Sequence, residues 1–168
     1  VLEKNENQIS IAVESNNNKI NLSAPHILVA IGVKGCTDGL GLDDIGINIK
    51  SNSIPINKYC QTNVKGVYAI GDVTTTPCLA HKASYQGNIA AEAISGKDVT
   101  KFLKEENIPG CTYSNPQIAS IGLTEENAIK LGYELNIGNF PFIGNGKALA
   151  MGEEEGFVKT IFDKKTGE

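Results

Sequence analysis

Along the first part of the chain, Ile9, Ile11 and Val13 alternate with Ser10, Ala12 and Glu14. A period of two is the mark of a half-buried strand. Ser15-Asn16-Asn17-Asn18 is a turn signal, and Ile20 and Leu22 then alternate with Lys19, Asn21 and Ser23, which predicts a β-hairpin. After Ala24-Pro25 comes His26-Ile27-Leu28-Val29-Ala30-Ile31, a continuous apolar run that predicts a strand covered on both faces and ended by Gly32. Residues 32–65 are rich in Gly, Asp and Asn, with short alternating pieces such as Ile45-Gly46-Ile47-Asn48-Ile49, and read as loops and short strands.

Val67-Tyr68-Ala69-Ile70 reads as a short buried strand stopped by Gly71-Asp72. Thr74-Thr75-Thr76-Pro77 leads into a helix over residues 79–95, with Leu79, Ala83, Ala90 and Ile94 near one face and Gly96 at the C-terminal glycine position. Gly87 inside that helix costs about 1 kcal/mol against alanine unless a backbone or ligand needs the room. Residues 97–107 form a charged connector, taken as a domain boundary. Beyond it, Cys111-Thr112-Tyr113 turns at Ser114-Asn115-Pro116-Gln117 into Ile118-Ala119-Ser120-Ile121-Gly122. Thr124 is the expected N-cap of a short helix with Glu125 and Glu126 in its first turn, closed by Gly132. Strands are expected around Phe140-Pro141-Phe142 and over residues 157–162. Residues 163–168 have the composition of a hairpin turn whose return strand would lie beyond Glu168. The expected fold class is α/β, becoming α+β in the C-terminal part.

The chain has 168 residues, 40% apolar and 20% charged, with a net charge of −4, a globular balance rather than a disordered one. Its 15 basic residues are all lysine, so the bidentate arginine reader of nucleic-acid bases is missing and no nucleic-acid partner is expected. No apolar run approaches ~18 residues, so no membrane span is expected, and Val1-Leu2-Glu3-Lys4-Asn5 holds no apolar signal core. Cys36, Cys60, Cys78 and Cys111 are 24, 18 and 33 residues apart, with no Cys-x-x-Cys and no Cys/His cluster. They read as thiols of a reducing compartment, although four cysteines allow two disulfides. His26 and His81 are the two histidines, and neither has metal-ligand spacing. No metal site is expected.

The strongest chemical signal is Tyr68-Ala69-Ile70-Gly71-Asp72-Val73, a buried strand that delivers a glycine and then a carboxylate at its C-terminal edge. Ligands of open α/β sheets bind at that edge. Gly71 permits close approach, and Asp72 can accept hydrogen bonds from sugar or ribitol hydroxyls; the plain alternative is a strand–turn with Asp72 starting a loop. Just downstream, Leu79-Ala80-His81-Lys82-Ala83 opens the helix, whose first N–H groups lack intrahelical partners and favour negative charge. A flavin edge aimed there would have its reduced, anionic form stabilised. His81 can be read as a catalytic base, but backbone and packing at the helix start is the preferred reading.

These segments, together with Val29-Ala30-Ile31-Gly32, Thr37-Asp38-Gly39-Leu40-Gly41-Leu42, residues 113–125 (Tyr-Ser-Asn-Pro-Gln onward) and Phe140-Pro141-Phe142-Ile143-Gly144-Asn145-Gly146-Lys147-Ala148, run in an order and spacing that resembles the FAD-dependent pyridine nucleotide–disulfide oxidoreductases. The Ala80-His81-Lys82-Ala83 stretch and the Tyr-Ser-Asn-Pro-Gln turn resemble the dihydrolipoamide dehydrogenase branch. The resemblance implies that Asp72 holds the FAD ribitol chain and that Cys78, Leu79, Ala80 and His81 contact the flavin ring, with Cys78 where methionine is usual. It implies that Gly32 lies next to the nicotinamide cofactor. Two departures stand out: Val33-Lys34-Gly35-Cys36 replaces an Arg-x-Pro-Asn, and a lysine lacks the planar fork of arginine. Lys147 also stands where arginine is frequent.

The resemblance further implies oxidation of protein-bound dihydrolipoamide with NAD through FAD and a redox disulfide, a homodimer, a lipoyl-domain partner in a 2-oxo acid dehydrogenase complex, and a bacterial cytoplasmic or mitochondrial-matrix location. It divides the chain into residues 1–33, the end of an NAD-binding domain; 34–106, a central segment completing an FAD-binding domain; and 107–168, the first half of a dimerisation domain. The Gly-x-Gly-x-x-Gly phosphate loops, the redox cysteine pair and the His/Glu acid–base pair implied by the resemblance are not in this sequence, so no catalytic residue is assigned. The chain is expected to be an inactive, colourless slice of a larger enzyme. The alternatives are a nucleotide-binding module built on Gly71-Asp72, or a self-association module in which residues 157–162 offer an unpaired strand edge.

Overall fold

The computed structural model describes residues 3–168. Strands β1 (Glu3–Lys4), β2 (Ile9–Ser15) and β3 (Asn18–Ala24) form an antiparallel sheet in that order. Ser15 pairs with Asn18, so the β2–β3 loop is two residues long, and Asn16 (φ 51°) and Asn17 (φ 63°) are both left-handed. A two-residue turn matched to strand twist needs that conformation, and asparagine tolerates it better than most residues. The predicted hairpin is therefore present, with the Ser10 and Ser23 hydroxyls 2.8 Å apart across it.

Residues 26–31 do not form the predicted strand. They are extended coil, with Leu28 90% and Ile31 93% exposed. An apolar run becomes a two-face-buried strand only when neighbours supply ladder bonds and cover, and among the described residues none does.

Residues 36–75 carry most of the core with no strand or α-helix, only a 3₁₀ turn at Gly71–Val73. Ile47, Ile54 and Ala69 are buried together, with Leu42, Ile56, Val64, Val67 and Val73 packed around them. Ile47 N–H donates to Leu42 O (2.9 Å), Ile54 N–H to Val73 O (2.8 Å) and Thr62 N–H to Val67 O (2.9 Å), while Asn63 bridges Asn48 N–H and Gly46 O. The strands expected over 45–49 and 67–70 are replaced by this loop network: Tyr68 makes one isolated bridge to Gln61, and Ile70 is exposed.

Helix α1 (Ala80–Ile94) matches the expected span, and Gly96 follows its Ser95 C-cap at φ 74°. Its buried face agrees with the expected one at Ala90 and departs from it elsewhere. Lys82, Gln86, Ile89 and Ala90 are buried and Ile94 is exposed. Ile89 and Ala90 pack with Cys60 into a second cluster that Ile56, Tyr68, Val99 and Leu103 complete.

The C-terminal part pairs β4 (Gly110–Thr112) with β5 (Ile118–Ser120), then places α2 (Glu125–Lys130). The Thr124 hydroxyl caps α2 by accepting from Asn127 N–H (3.3 Å), and Gly132 at φ 86° follows it. Strand β6 (Leu135–Pro141) pairs along its whole length with β7 (Phe157–Asp163), so residues 157–162 have one edge filled rather than being unpaired. Between them lies α3 (Gly146–Met151), unforeseen in the sequence, capped by Asn145 Oδ1 accepting from Lys147 and Ala148 N–H. The expected turn follows β7, closed by Asp163 N–H to Glu168 O (2.9 Å).

Candidate functional site

The chain reaches Gly71 from the irregular core: Ala69 N–H donates to Cys60 O (3.0 Å), and Gly71 then turns at φ 75°. A Cβ there would lie 3.2 Å from the Ala83 methyl of α1, so glycine serves both the backbone conformation and the close approach of the helix. The 3₁₀ turn Gly71–Val73 follows, presenting the Asp72 side chain to the exterior. Thr74, fully buried, closes this turn: its N–H (3.0 Å) and hydroxyl (2.7 Å) both donate to Gly71 O.

The loop then returns to α1. Cys78 Sγ lies 4.0 Å from Asp72 O, which places the residue before the helix start against the acidic turn. Leu79 is the N-cap and has no hydrogen-bonding side chain, and the first turn of α1 contains no acidic residue. The opening N–H groups of α1 therefore keep their donor capacity and positive partial charge with no counter-charge from their own turn. Asp72, Cys78, Leu79, Ala80 and His81 thus lie on one continuous turn-and-helix unit. The His81 ring is occupied elsewhere: Nε2 is 2.8 Å from Pro109 O, and because a carbonyl only accepts, Nε2 carries the proton. Gly32 is not part of this unit; it lies in exposed coil at φ 111°, with no atom of the described residues within 4 Å of where a Cβ would stand.

Two side chains of this unit escaped the sequence reading. Lys82 and Gln86 are polar yet buried, on the inner face of α1. Gln86 Oε1 accepts from Gly71 N–H (2.7 Å), and Lys82 Nζ donates to Thr75 O. The available signal was their spacing of four, which puts them on the stripe of Ile89 and Ala90. A cavity of about 140 Å³ lies on this side, lined by Lys82, Gln86, Cys60, Thr75, Ile56 and others, and not by Asp72. Burial pushes the Cys60 thiol up from its ordinary pKa, and its Sγ faces Gln86 O at 3.5 Å. Among the described residues all four cysteines are free, no cluster of His, Cys, Asp or Glu is able to hold a metal, and no helix is long and apolar enough to cross a membrane.

The donor set fits a flavin nucleotide. An exposed carboxylate suits polyol hydroxyls, a Cβ-free turn permits close approach, and uncapped helix N–H groups suit an electron-rich ring edge.

Comparisons with known proteins agree with this architecture. Residues 1–87 match the pyridine nucleotide-disulphide oxidoreductase family, and residues 108–168 match the dimerisation domain of the same family. The chain belongs to the pyridine nucleotide-disulphide oxidoreductases, a family of FAD-dependent flavoproteins that use NAD or NADP. It is 56% identical over 142 residues to the dihydrolipoyl dehydrogenase of Zymomonas mobilis, covering 84% of this chain and 30% of the relative. It is 44% identical over 168 residues to that of Rhizobium etli, covering 99% and 35%. Among solved structures, LpdA from Mycobacterium tuberculosis superposes with a TM-score of 0.79 at 27% identity, covering 89% of this chain and 32% of that one. The flavoprotein disulfide reductase RclA from Escherichia coli shares the fold, with a TM-score of 0.78 at 24% identity, covering 96% and 37%. The chain spans about a third of the length of the curated relatives it matches.

Proposed function

We propose that these residues form part of a dihydrolipoyl dehydrogenase, in which protein-bound dihydrolipoamide is oxidised and the electrons reach NAD through a redox disulfide and FAD. The observation that carries this reading is the juxtaposition of Asp72 with the uncapped start of α1. When bound, FAD supplies the two-electron relay between dithiol and nicotinamide. The chain's own residues bind and orient it. Asp72 accepts from the ribitol hydroxyls, and Cys78, Leu79, Ala80 and His81 present backbone and packing surface to the ring. The helix N-terminus stabilises negative charge on the ring's edge, which makes the flavin easier to reduce. His81 acts through its backbone, because its ring is held by Pro109 O. Gly32 lies beside the nicotinamide cofactor in this reading, in a segment (1–33) that ends an NAD domain; residues 34–106 complete the FAD domain.

Residues 107–168 then begin the dimer interface, a reading supported by the dimerisation-domain match over 108–168. A homodimer that docks lipoyl domains of a 2-oxo acid dehydrogenase complex, in the bacterial cytoplasm or the mitochondrial matrix, follows from the same reading. The 168-residue chain alone is proposed to be inactive, because the groups that move electrons and protons are not in its sequence.

The test is Asp72→Asn in the complete flavoprotein, with FAD retention read from flavin fluorescence. A neutral amide is a weaker acceptor for hydroxyls, so FAD affinity should fall about tenfold or more. Unchanged affinity would contradict the assignment of Asp72. Turnover of NADH with an artificial acceptor by the 168-residue chain would contradict its inactivity.

A further inference from the structure

The loop that carries Asp72 is tied to α1 at both ends by buried polar side chains. At its start, Gly71 N–H donates to Gln86 Oε1 (2.7 Å); at its far end, Thr75 O accepts from Lys82 Nζ. Between them, Thr74 folds the loop on itself through its N–H and hydroxyl to Gly71 O. Lys82 is 2% exposed and Gln86 6%, and the two lie one helical turn apart. The stripe they interrupt continues as Ile89 and Ala90, so apolar side chains would pack there without a desolvation cost. Hydrogen bonds differ from apolar contacts in fixing direction and distance. What these two fix is the placement of the Asp72 turn relative to the helix that bears Leu79, Ala80 and His81.

We propose that Gln86 and Lys82 are positioning residues for the flavin. They hold the acceptor for the ribitol chain in register with the N–H groups that face the ring. The inference rests on the flavin reading of Asp72 and the start of α1. A flavin is a rigid ring on a short polyol, so it engages both contacts only when their separation is fixed; binding then does not bear the entropic cost of ordering the loop. Neither residue touches the cofactor in this scheme. Both act through the backbone of residues 71–75.

The test uses the complete flavoprotein with Gln86→Leu, Gln86→Glu, Lys82→Met and, as the reference for the site itself, Asp72→Asn. The readouts are FAD affinity from flavin fluorescence, the visible circular dichroism of bound flavin, and thermal unfolding of the apoprotein. Gln86→Leu leaves Gly71 N–H buried without an acceptor, and FAD affinity should fall about tenfold with an altered flavin dichroism. Lys82→Met should act in the same direction. Gln86→Glu keeps an acceptor one turn from the Lys82 ammonium and should stay within about threefold of the parent. The proposal is overturned if Gln86→Leu binds FAD like the parent while Asp72→Asn has lost it, or if Gln86→Glu is as impaired as Gln86→Leu. If Asp72→Asn also binds like the parent, the flavin reading itself is wrong and this inference goes with it. Should Gln86→Leu not fold, amide exchange in the unsubstituted protein decides: Gly71 N–H should exchange slowly, and exchange at the rate of an open loop overturns the proposal.

Discussion

Four thiols in one chain sit in different surroundings, and reactivity follows the surroundings. Cys36 and Cys111 are exposed, Cys78 is half-buried, and Cys60 is buried with its pKa raised by desolvation. The thiolate is the nucleophile, so a raised pKa and restricted access act in the same direction. Labelling of the native chain with a disulfide reagent near pH 8 should modify Cys36 and Cys111 quickly and Cys60 only as the chain unfolds. Mass mapping of the labelled peptides reads the order, and early labelling of Cys60 would contradict its packing against Ile89 and Ala90. At the other end of the pKa scale, the Thr166 side-chain hydrogen bond holds the Asp163 carboxyl below its ordinary value of 3.8, with backbone N–H groups of the turn assisting. A lowered folded pKa means the turn gains stability above pH 3.8 and loses it as pH falls through the folded value. In a carboxyl NMR titration, Thr166→Val should move Asp163 back up toward 3.8.

At the scale of elements, local signals were readable wherever the chain completes its own hydrogen bonds. The β2–β3 hairpin, α1 with its trailing Gly96 and the Thr124-capped α2 each form from neighbours in sequence, and each stands where pattern and capping residues put it. The short helix α3 was missed because Gly146 and Lys147 open it without an apolar period, and its signal was the Asn145 cap alone. The buried face of α1 was misjudged for a different reason. Hydrophobicity points to Leu79, Ala83, Ala90 and Ile94, of which Ala90 is buried and Ile94 exposed, but the Gly71 amide needs an acceptor and the Thr75 carbonyl a donor, and Gln86 and Lys82 supply them. Thus the polar stripe of the candidate site is visible only once the loop it holds is in place. Gly87 gives a direct check on the helix. A Cβ there would stand 3.6 Å from Ile70 Cδ1, an ordinary contact, so nothing requires the glycine. Gly87→Ala should stabilise the chain by about 0.5–1 kcal/mol, seen as a raised denaturation midpoint. A lowered midpoint would mean that Ile70 packs more tightly against α1 than this spacing allows.

For the whole molecule, what matters is the gap between apolar sequence and buried surface. Leu28, Val29, Ile31 and Val33 are 72–93% exposed in a single stretch of coil. Fully burying such side chains is worth about 1.5–3 kcal/mol each, so this stretch leaves on the order of 6–12 kcal/mol of gross hydrophobic stabilisation unused. The run reads as an interior strand, and it stays open because a strand of that kind is specified by neighbours, which local pattern cannot supply. Exposed, contiguous and apolar, it is a surface that drives association. Residues 157–162 add to this: among the described residues β7 pairs with β6 alone, so its other edge offers ladder groups for pairing. The 168-residue chain should therefore sediment as dimers or larger species at tens of micromolar. The double substitution Leu28→Lys with Ile31→Lys should shift it toward monomer if the coil dominates. If the edge of β7 dominates, those lysines will change little, and a charge on that edge, as in Thr160→Lys, will be the change that releases monomer. A chain that sediments as a monomer without any substitution would show that neither surface is sufficient to drive association.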